Sequence, residues 1–338
     1  MKTKVFHIVP TKKTGGVENA AESARQKLNE SFKFSLIYLN HHHDNNFFGL
    51  GRGIVKAIKI LKKEQNFFLI SSLWKSVFIP LILKFIYGKS FKWIHIIHSA
   101  HFFSFIDSIL NIVAIRLCDS VFADSHTSMK KRKNLTKKEI KCISFKLFPS
   151  TSYKKKNLTQ ELKIVFIGRL DKVKNLSFAI KIIEEIYLSG YSLIFDIYGP
   201  KENDYKNLSS IVKSKKLGHI IQFKKELKKE EIITTLDKYQ FFIQTSHREG
   251  MAMTVVEAMM CGLVCLVTPV GEISNYSQDM LSAIHINPRD EIDEFINKFN
   301  KVVEDQCLYN QISLNAHKVF RDNLTYAESL NNNLLVLE

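Results

Sequence analysis

Short apolar runs separated by helix-length amphipathic segments recur along the whole chain. These runs predict buried strands at residues 4–10, 91–97, 162–167, 193–198, 220–223, 241–245 and 264–268. Helical periodicity follows several of them, for example from about Val17 and over residues 175–189. Strands that alternate with helices are typical of parallel sheets built from βαβ units, so the sequence predicts an α/β fold.

This pattern stops and restarts near the middle of the chain. A polar segment, residues 150–160 with three consecutive lysines at 154–156, separates the two halves. At 338 residues, the chain is long enough for two domains that each bury a core. We therefore expect an N-terminal domain over 1–160, a C-terminal domain over 161–321, and a terminal helix within 322–338.

The stretch 241–271 carries the densest set of polar signals. It predicts a strand, a polar loop, a helix that opens near Thr254, a Cys-Gly stop at 261–262 and a second strand. Open parallel sheets bind their ligands at the carboxyl ends of strands, which is where this loop lies. Two carboxylates bracket the loop, Glu249 before the helix and Glu257 in its first turn, with seven residues between them.

Residue chemistry alone leaves two interpretations of this loop open. Thr254 and Glu257 fit a capping box, in which each side chain satisfies a backbone N–H at the helix start, and Glu249 is then an ordinary solvated residue. In the other interpretation, the amides at 252–254, including that of Met253, bind an anion while the carboxylates accept hydrogen bonds from ligand hydroxyls. A phosphate accompanied by hydroxyls describes a nucleotide sugar.

Residues 246–271, SHREGMAMTVVEAMMCGLVCLVTPVG, resemble the Glu-x7-Glu signature of retaining glycosyltransferase family four. Members of that family have two facing Rossmann-like domains (GT-B type), with a cleft between them and a C-terminal helix that crosses back onto the N-terminal domain. The resemblance implies that Glu249 contacts the transferred sugar as a catalytic residue and that Glu257 contacts the ribose. It also places the amides of Met253 and Thr254 at the donor diphosphate.

Two further segments match the same family. The turn Gly-Arg-Leu at 168–170, with a lysine six positions after the glycine, implies that Arg169 and Lys174 bind the diphosphate. Two cations beside a helix N-terminus can stabilise the charge of a departing diphosphate. The segment 15–18, GGVE, matches a Gly-Gly-x-Glu loop, which implies that Gly16 lies over the donor pyrophosphate, although Gly-Gly is also an ordinary turn.

One histidine, His98, stands at the end of the predicted strand 91–97. A lone histidine is more often structural than catalytic, but the carboxyl end of a strand favours a functional role. Family members carry a histidine here, near the donor sugar. The resemblance therefore implies a catalytic role for His98, with His101 as the fallback.

The net charge of +16 is concentrated in the first half of the chain. Residues 1–160 contain 28 Lys and Arg against nine Asp and Glu, a balance of +19, so −3 remains for the other residues. Basic residues cluster at 52–63, where the pattern predicts an amphipathic helix, and at 130–141. With the apolar segment 76–94 nearby, they predict a face that binds an anionic membrane surface. The alternative is a core helix beside solvated lysines.

Several features argue against secretion, membrane spans and metal sites. The apolar segment at the N-terminus, about five residues, is too short for a signal peptide, and the longest apolar run, 77–87, is too short to cross a membrane. The five cysteines include no CxxC pair, consecutive histidines at 41–43 diverge on a strand or loop, and no Asp-x-Asp occurs. We therefore expect a cytoplasmic protein with neither a metal site nor a disulfide, peripheral on the inner face of the bacterial cytoplasmic membrane.

Together these features predict a retaining glycosyltransferase that moves a sugar from a nucleotide-diphosphate sugar to a lipid-linked saccharide. The expected role is the synthesis of a bacterial surface polysaccharide, namely O-antigen, capsule or lipopolysaccharide. The expected partners are the donor, the acceptor and the inner membrane surface, without a cofactor or nucleic acid. Two alternatives remain: a nucleotide-sugar 2-epimerase of the same architecture, and a basic nucleic-acid-binding protein, which leaves the C-terminal motifs unexplained.

Overall fold

The computed structural model describes residues 2–12, 15–40, 47–150, 152–201, 204–287 and 292–338, apart from the side chains of residues 47 and 48. The chain divides into two compact units. Unit 1 comprises Met1–Leu147 and Leu324–Glu338, and unit 2 comprises Phe148–Asn323.

Unit 1 contains a six-stranded parallel sheet in the order β2-β1-β3-β4-β5-β6. Its strands are β1 (Lys4–Thr11), β2 (Lys33–Asn40), β3 (Phe67–Ser72), β4 (Lys92–Ile97), β5 (Ser120–Ala123) and β6 (Ile140–Cys142). The helices between them are α1 (Gly16–Ser31), α2 (Phe47–Leu61), α3 (Phe78–Phe85), α4 (Phe105–Leu117) and α5 (His126–Arg132). Two 3-10 turns lie at Trp74–Val77 and Lys133–Leu135.

Unit 2 repeats the plan, with a parallel sheet in the order β12-β11-β10-β7-β8-β9. Its strands are β7 (Glu161–Ile167), β8 (Ser192–Tyr198), β9 (Ile221–Lys224), β10 (Phe241–Gln244), β11 (Val264–Val267) and β12 (Ile284–His285). Its helices are α6 (Leu176–Leu188), α7 (Tyr205–Ser214), α8 (Lys229–Leu236), α9 (Met253–Met260), α10 (Ile273–Tyr276), α11 (Ile292–Glu304) and α12 (Gln306–Arg321), and a 3-10 turn spans Lys172–Lys174.

The last helix, α13 (Tyr326–Leu337), belongs to unit 1, where it packs against α1. The Tyr326 N–H donates to the Lys146 carbonyl at 2.7 Å, and the Ser144 N–H donates to Ser329 Oγ at 3.2 Å. A capping box at Thr325 starts the helix. These contacts hold the end of the chain on the unit in which the chain begins.

The segment after Leu147 belongs to unit 2 because it hydrogen-bonds to α12. Tyr153 Oη lies 3.1 Å from Ser313 Oγ, and the Leu158 N–H donates to Gln306 Oε1 at 2.8 Å. The sequence-based boundary at 160/161 therefore lies beyond the point where the chain first joins unit 2.

Central strands are buried on both faces because helices cover both sides of each sheet. Every residue of β3, β10 and β11 is buried. Such strands read as continuous apolar runs rather than as an alternation, which explains why the apolar pattern located β10 and β11, although it missed β3. The α/β class is confirmed, and each of the seven predicted strands is present to within one residue at either end.

The apolar segment 76–94 lies partly in the core and partly at the surface. Ile79, Pro80 and Leu83 of α3 are buried in the core, whereas Phe85 and Ile86 at its end are 67% and 71% exposed. The basic segment 52–63 does form a helix, which is the larger part of α2. In the part of the chain that the structure describes, no helix is both long and apolar enough to cross a membrane.

Candidate functional site

The Glu249 side chain lies in the loop after β10, where three donors converge on its Oε1 atom. Lys174 Nζ donates at 2.7 Å, and Gln244 Nε2 and Ser246 Oγ each donate at 2.5 Å. Only 9% of the Glu249 side chain and 16% of the Lys174 side chain are exposed. Among the described residues, no hydrogen bond reaches Oε2 of Glu249. The carboxylate is thus fixed through one oxygen, while the other can accept a hydrogen bond from a ligand.

The loop after β10 is bound to the loop after β7, its neighbour in the sheet. Thr245 Oγ1 donates to the Asn175 carbonyl at 2.9 Å, and the His247 N–H donates to the Val173 carbonyl at 2.9 Å. These bonds fix the Lys174 side chain beside the carboxylate. The structure therefore brings together the lysine predicted to bind the diphosphate and the glutamate predicted to be catalytic.

Arg169 stands in the same loop after β7. Its guanidinium lies 3.3 Å from Asp171 Oδ2, and 68% of its side chain is exposed. Asp171 also caps the turn that follows, because its carboxylate accepts from the Lys174 N–H at 3.2 Å. Asp171 therefore holds the Arg169 guanidinium and the backbone of Lys174 at the carboxyl end of β7. This arrangement can bind a diphosphate through charge-assisted hydrogen bonds.

Helix α9 begins at Met253, after Ala252 in the left-handed conformation with a φ of 54°. No side chain caps this end of the helix. The capping-box interpretation of Thr254 and Glu257 is therefore wrong, because Thr254 is already helical and Glu257 lies in the second turn. The N–H groups of Met253 and Thr254 belong to the first turn, where a helix supplies no carbonyl partner, so they are placed to bind an anion.

The second carboxyl group of the pair, Glu257, is almost fully enclosed. The residue is 3% exposed, and its Oε2 has no hydrogen-bond partner in the described parts of the chain. Burial raises the pKa of the Glu257 carboxyl to about 8, and the charge of Lys229 opposes that shift. A buried polar atom without a partner costs free energy, which a ligand hydroxyl can recover. The predicted contact with a ribose is compatible with this geometry and stays a prediction.

Gly271 approaches the Glu249 loop from the segment after β11. Its φ is 62°, and a Cβ at this position would lie 2.1 Å from the Glu249 carbonyl oxygen. The next residue, Glu272, donates its N–H to the Gly250 carbonyl at 3.0 Å. A side chain at position 271 would therefore displace the loop that carries the catalytic candidate.

Sequence reasoning missed the residues that support Glu249. Gln244 and Ser246 donate to its carboxylate, and Gly271 packs against its backbone. The polar run after the apolar part of β10 was a usable signal for the first two, because polar residues at a strand's carboxyl end are candidates for a site. The close approach of Gly271 depends on tertiary structure, and no local pattern indicated it.

In unit 1, Gly16 is the first residue of α1. Thr11 Oγ1 donates to Glu18 Oε1 at 2.9 Å, which ties the end of β1 to the first turn of the helix. The Gly16 N–H consequently lies at a helix N-terminus, a position that suits a phosphate. Its predicted contact with the donor pyrophosphate stays a prediction.

His98 lies just after β4 and belongs to a buried hydrogen-bonded chain. Its Nδ1 is 3.3 Å from Asp124 Oδ2 and its Nε2 is 3.0 Å from Ser72 Oγ, which is in turn 2.8 Å from His7 Nε2. Only 2% of the His98 side chain is exposed. Since both ring nitrogens have partners inside unit 1, the ring reaches a ligand only if these bonds rearrange. Its catalytic role stays a prediction.

His101, the fallback candidate, has a different environment. It is exposed, and its Nε2 lies 3.0 Å from Lys131 Nζ. Beside it, the Arg132 guanidinium stacks over the Phe102 ring at 3.5 Å. His101 therefore faces solvent in a basic environment, whereas His98 is part of the interior.

No group of three or more His, Cys, Asp or Glu side chains among the described residues could hold a metal ion. The consecutive histidines at 41–43 lie outside the described residues. The expectation that the protein works without a metal therefore stays a prediction.

Comparisons with known proteins bear on the same part of the chain. The family described as "Glycosyl transferases group 1" matches residues 150–319, half of the chain. Sucrose synthase 1 from Hordeum vulgare is 26% identical over 182 residues, which cover 48% of this chain and 23% of that protein. The chain thus spans less than a quarter of the length of this curated relative.

Solved structures resemble the whole chain. HepE from Anabaena, in complex with UDP-glucose, has a TM-score of 0.79 at 16% identity, covering 99% of this chain and 100% of that chain. The lipopolysaccharide outer core galactosyltransferase WaaB, in its apo form, has a TM-score of 0.69 at 14% identity, covering 99% and 100%. These likenesses show a GT-B fold over the full length of the chain.

Proposed function

Because the chain belongs to the group 1 glycosyl transferases, we propose that it is a retaining enzyme of glycosyltransferase family four. Its donor is a nucleotide-diphosphate sugar, and its acceptor is a lipid-linked saccharide on the inner face of a bacterial cytoplasmic membrane. The product is an intermediate of a surface polysaccharide, namely O-antigen, capsule or lipopolysaccharide.

The observation that carries the proposal is the environment of Glu249. Three donors hold its Oε1, and Lys174, one of them, keeps further N–H groups for a second anion. The adjacent helix start supplies the amides of Met253 and Thr254, and the buried carboxyl of Glu257 has no partner at Oε2 among the described residues. Cations, helix amides and hydroxyl acceptors at one edge of a sheet match the diphosphate, ribose and sugar of a nucleotide sugar.

In the proposed reaction, the bond between the anomeric carbon of the sugar and the diphosphate oxygen breaks. The acceptor hydroxyl forms the new bond from the same face, and its proton passes to a donor phosphate oxygen. Arg169, Lys174 and the amides at the start of α9 stabilise the charge on the leaving diphosphate. Glu249 orients the sugar through Oε2. No side-chain nucleophile and no metal is assigned a role.

The proposed acceptor and location are supported by the distribution of charge. Residues 1–160 carry a balance of +19, which attracts anionic lipid headgroups and phosphate-bearing lipids. WaaB, whose name places its acceptor in lipopolysaccharide, shares the fold. HepE was solved with UDP-glucose, which makes UDP-sugars the first donors to test.

Thermal unfolding against a panel of nucleotide sugars and nucleoside diphosphates tests the donor site. A donor at about a hundred times its Kd should stabilise the protein by ~2.7 kcal/mol, which raises the Tm by a few degrees. We expect the shift to shrink in Arg169→Ala and Glu249→Ala. Lys172→Ala, which removes an exposed cation from the same turn, is the matched control and should retain the shift.

The proposal fails if no compound of this panel raises the Tm of the wild type. A shift with DNA or RNA alone would instead support the nucleic-acid-binding alternative, whose affinity falls steeply with salt.

A further inference from the structure

A groove in unit 1 lies between α2, the turn Trp74–Val77, α3 and the start of α4. Its volume is about 830 Å³, within the range of roughly 300–1,000 Å³ that is usual for ligand sites. Its apolar lining consists of Leu50, Ile54, Val55, Trp74, Phe78 and Ile106. Val55 and Ile106 are 53% and 54% exposed. The groove is thus an apolar cleft that opens to solvent.

The same groove has a basic rim. Arg52, Lys56 and Lys59 line it, all from α2. Between residues 45 and 106, the sequence contains one acidic residue, Glu64, whose carboxylate pairs with Lys4. Lys56 and Lys59 form no ion pair with any described residue. An occupant complementary to this groove therefore has an apolar body and an anionic head.

The groove lies near the carboxyl edge of the sheet. Its walls α2, the turn Trp74–Val77 and α4 each follow a strand, β2, β3 and β4 respectively. Trp74 and Ile106 adjoin Leu73 and Asp107 in sequence, and that pair lines a smaller cavity beside His98. The first turn of α2, at Leu50, therefore lies close to where open α/β sheets bind substrates, and Lys56 and Lys59 line the groove further along the helix.

We propose that the groove binds the lipid of the acceptor, with one prenyl chain against its apolar lining and the attached phosphate on Lys56 and Lys59. This proposal rests on the proposed function, because it assigns a site to the lipid of the lipid-linked saccharide.

The concave shape of the groove fits a single hydrocarbon chain better than the flat surface of a bilayer. A helix that lies on a bilayer presents a convex apolar face, whereas here several elements enclose a concave volume. The half-buried Trp74 and Phe78 form part of its wall, with their ring centroids 6.4 Å apart. A hydrocarbon chain in the groove removes the exposed surface of Trp74 from water.

Tryptophan fluorescence of the full-length protein tests the proposal directly. The chain has two tryptophans, and Trp93 is fully buried, so a change on ligand binding reports Trp74. The probe is geranylgeranyl phosphate, titrated without any nucleotide sugar. We expect a saturable blue shift of the emission, weaker binding of geranylgeraniol and no response to inorganic phosphate. Trp74→Phe should lose the signal.

Charge reversal tests the placement of the phosphate. Lys56→Glu/Lys59→Glu should raise the Kd for geranylgeranyl phosphate about tenfold or more, since each cation near an anionic group contributes about 1 kcal/mol. Lys62→Glu/Lys63→Glu makes the same charge change just beyond α2, outside the groove lining. This matched control should bind within about threefold of wild type. Circular dichroism and the Tm of each variant establish that it is folded.

Three results would overturn the inference: no saturable response in the wild type, an equal loss of affinity in both double variants, or burial of Trp74 by self-association in analytical ultracentrifugation. A response to anionic vesicles without a response to geranylgeranyl phosphate would also overturn the inference, because it would indicate binding to a membrane surface rather than to a single prenyl chain. Because this titration contains no nucleotide sugar, a negative result does not bear on donor binding. Conversely, a negative result in the donor panel does not bear on lipid binding.

Discussion

The two units share one architecture but bury different ionisable groups. In unit 2, Glu257 is a buried carboxyl whose pKa is raised to about 8 by burial. In unit 1, burial lowers the pKa of His7 to about 3 and that of His95 to about 4. Burial disfavours the charged form in both cases, so each group is held neutral near pH 7. The stability of unit 1 should therefore fall as the pH drops below 6.5, whereas that of unit 2 should fall as the pH rises from 4.5 towards 8.

The two units also differ in the hydrogen bonds that hold their candidate catalytic residues. Glu249 of unit 2 is held through Oε1, and its Oε2 receives no hydrogen bond from the described residues. His98 of unit 1 has partners at both ring nitrogens, Asp124 and Ser72. Unit 2 thus presents a carboxylate with one oxygen open to a ligand, whereas unit 1 presents basic charge and an apolar groove.

The largest expected effect comes from breaking the Lys174–Glu249 pair. Lys174→Met should lower kcat/KM by roughly 10²- to 10³-fold, because it removes a cation from the leaving diphosphate. It should also destabilise the protein by about 3 kcal/mol, since a mostly buried carboxylate loses its partner. The measurements are steady-state transfer kinetics and urea unfolding.

The double variant Lys174→Met/Glu249→Gln separates the two effects. We expect it to regain most of the lost stability, because no unpaired charge remains, while activity stays low. If activity returned together with stability, the Lys174–Glu249 pair would have only a structural role. Glu249 would then no longer differ from the buried His98 as a candidate catalytic residue.

Among the effects of pH, the acid limb of unit 1 is the larger, because it rests on two histidines. The unfolded chain protonates its histidines near pH 6.5, whereas folded His7 and His95 stay neutral down to about pH 3 and about pH 4. Stability should therefore fall as the pH drops below 6.5, by about 1.4 kcal/mol per unit for each histidine. Both tryptophans lie in unit 1, so urea unfolding followed by their fluorescence measures it. His7→Gln/His95→Gln should flatten this limb.

The loss of stability of unit 2 between pH 4.5 and about 8 is smaller, because it rests on one group, the Glu257 carboxyl. Unfolded glutamate ionises near pH 4.5, whereas folded Glu257 keeps its proton up to about pH 8. Its contribution is present below pH 4.5 and is lost as the pH rises towards 8, at about 1.4 kcal/mol per unit. Glu257→Gln should remove this slope in calorimetry and weaken donor binding. An unchanged slope would mean that Glu257 is ionised in the folded protein.

The smallest effect concerns the glycine behind the Glu249 loop. Gly271→Ala should cost about 2 kcal/mol and weaken donor binding, because its Cβ meets the Glu249 carbonyl. Gly190→Ala is the matched control in unit 2, since its φ is also positive and a Cβ there meets nothing within 4 Å. It should cost about 1 kcal/mol and leave donor binding intact. If both variants weakened donor binding equally, Gly271 would have no specific role in positioning the Glu249 loop.

The sequence was most informative where burial is continuous. Strands β10 and β11 are buried throughout and almost entirely apolar, so their positions were predictable, although β3, which is equally buried, was not predicted. Strand β2 is half-buried over much of its length and was not predicted. The stop of α9 was predicted correctly, since Gly262 has a positive φ just after the helix ends.

For the candidate site, motifs nominated Glu249, Glu257, Arg169 and Lys174, but not the contacts that support them. The capping box was wrong because Ala252 takes a left-handed conformation and the helix starts one residue early. The partners of His98 come from β3 and from the residue after β5, and only the fold brings these together. Such contacts join positions far apart in sequence, so local spacing does not encode them.

The most direct test of the central claim is a transfer assay with wild type and Glu249→Gln. A nucleotide sugar found in the binding panel is incubated with a prenyl-diphosphate-linked saccharide, and the product linkage is determined by NMR. We predict a saccharide extended by one sugar, with the anomeric configuration of the donor, formed at least about a hundredfold more slowly by the variant. An epimerised nucleotide sugar without transfer, an inverted linkage, or equal rates for both proteins would contradict the account.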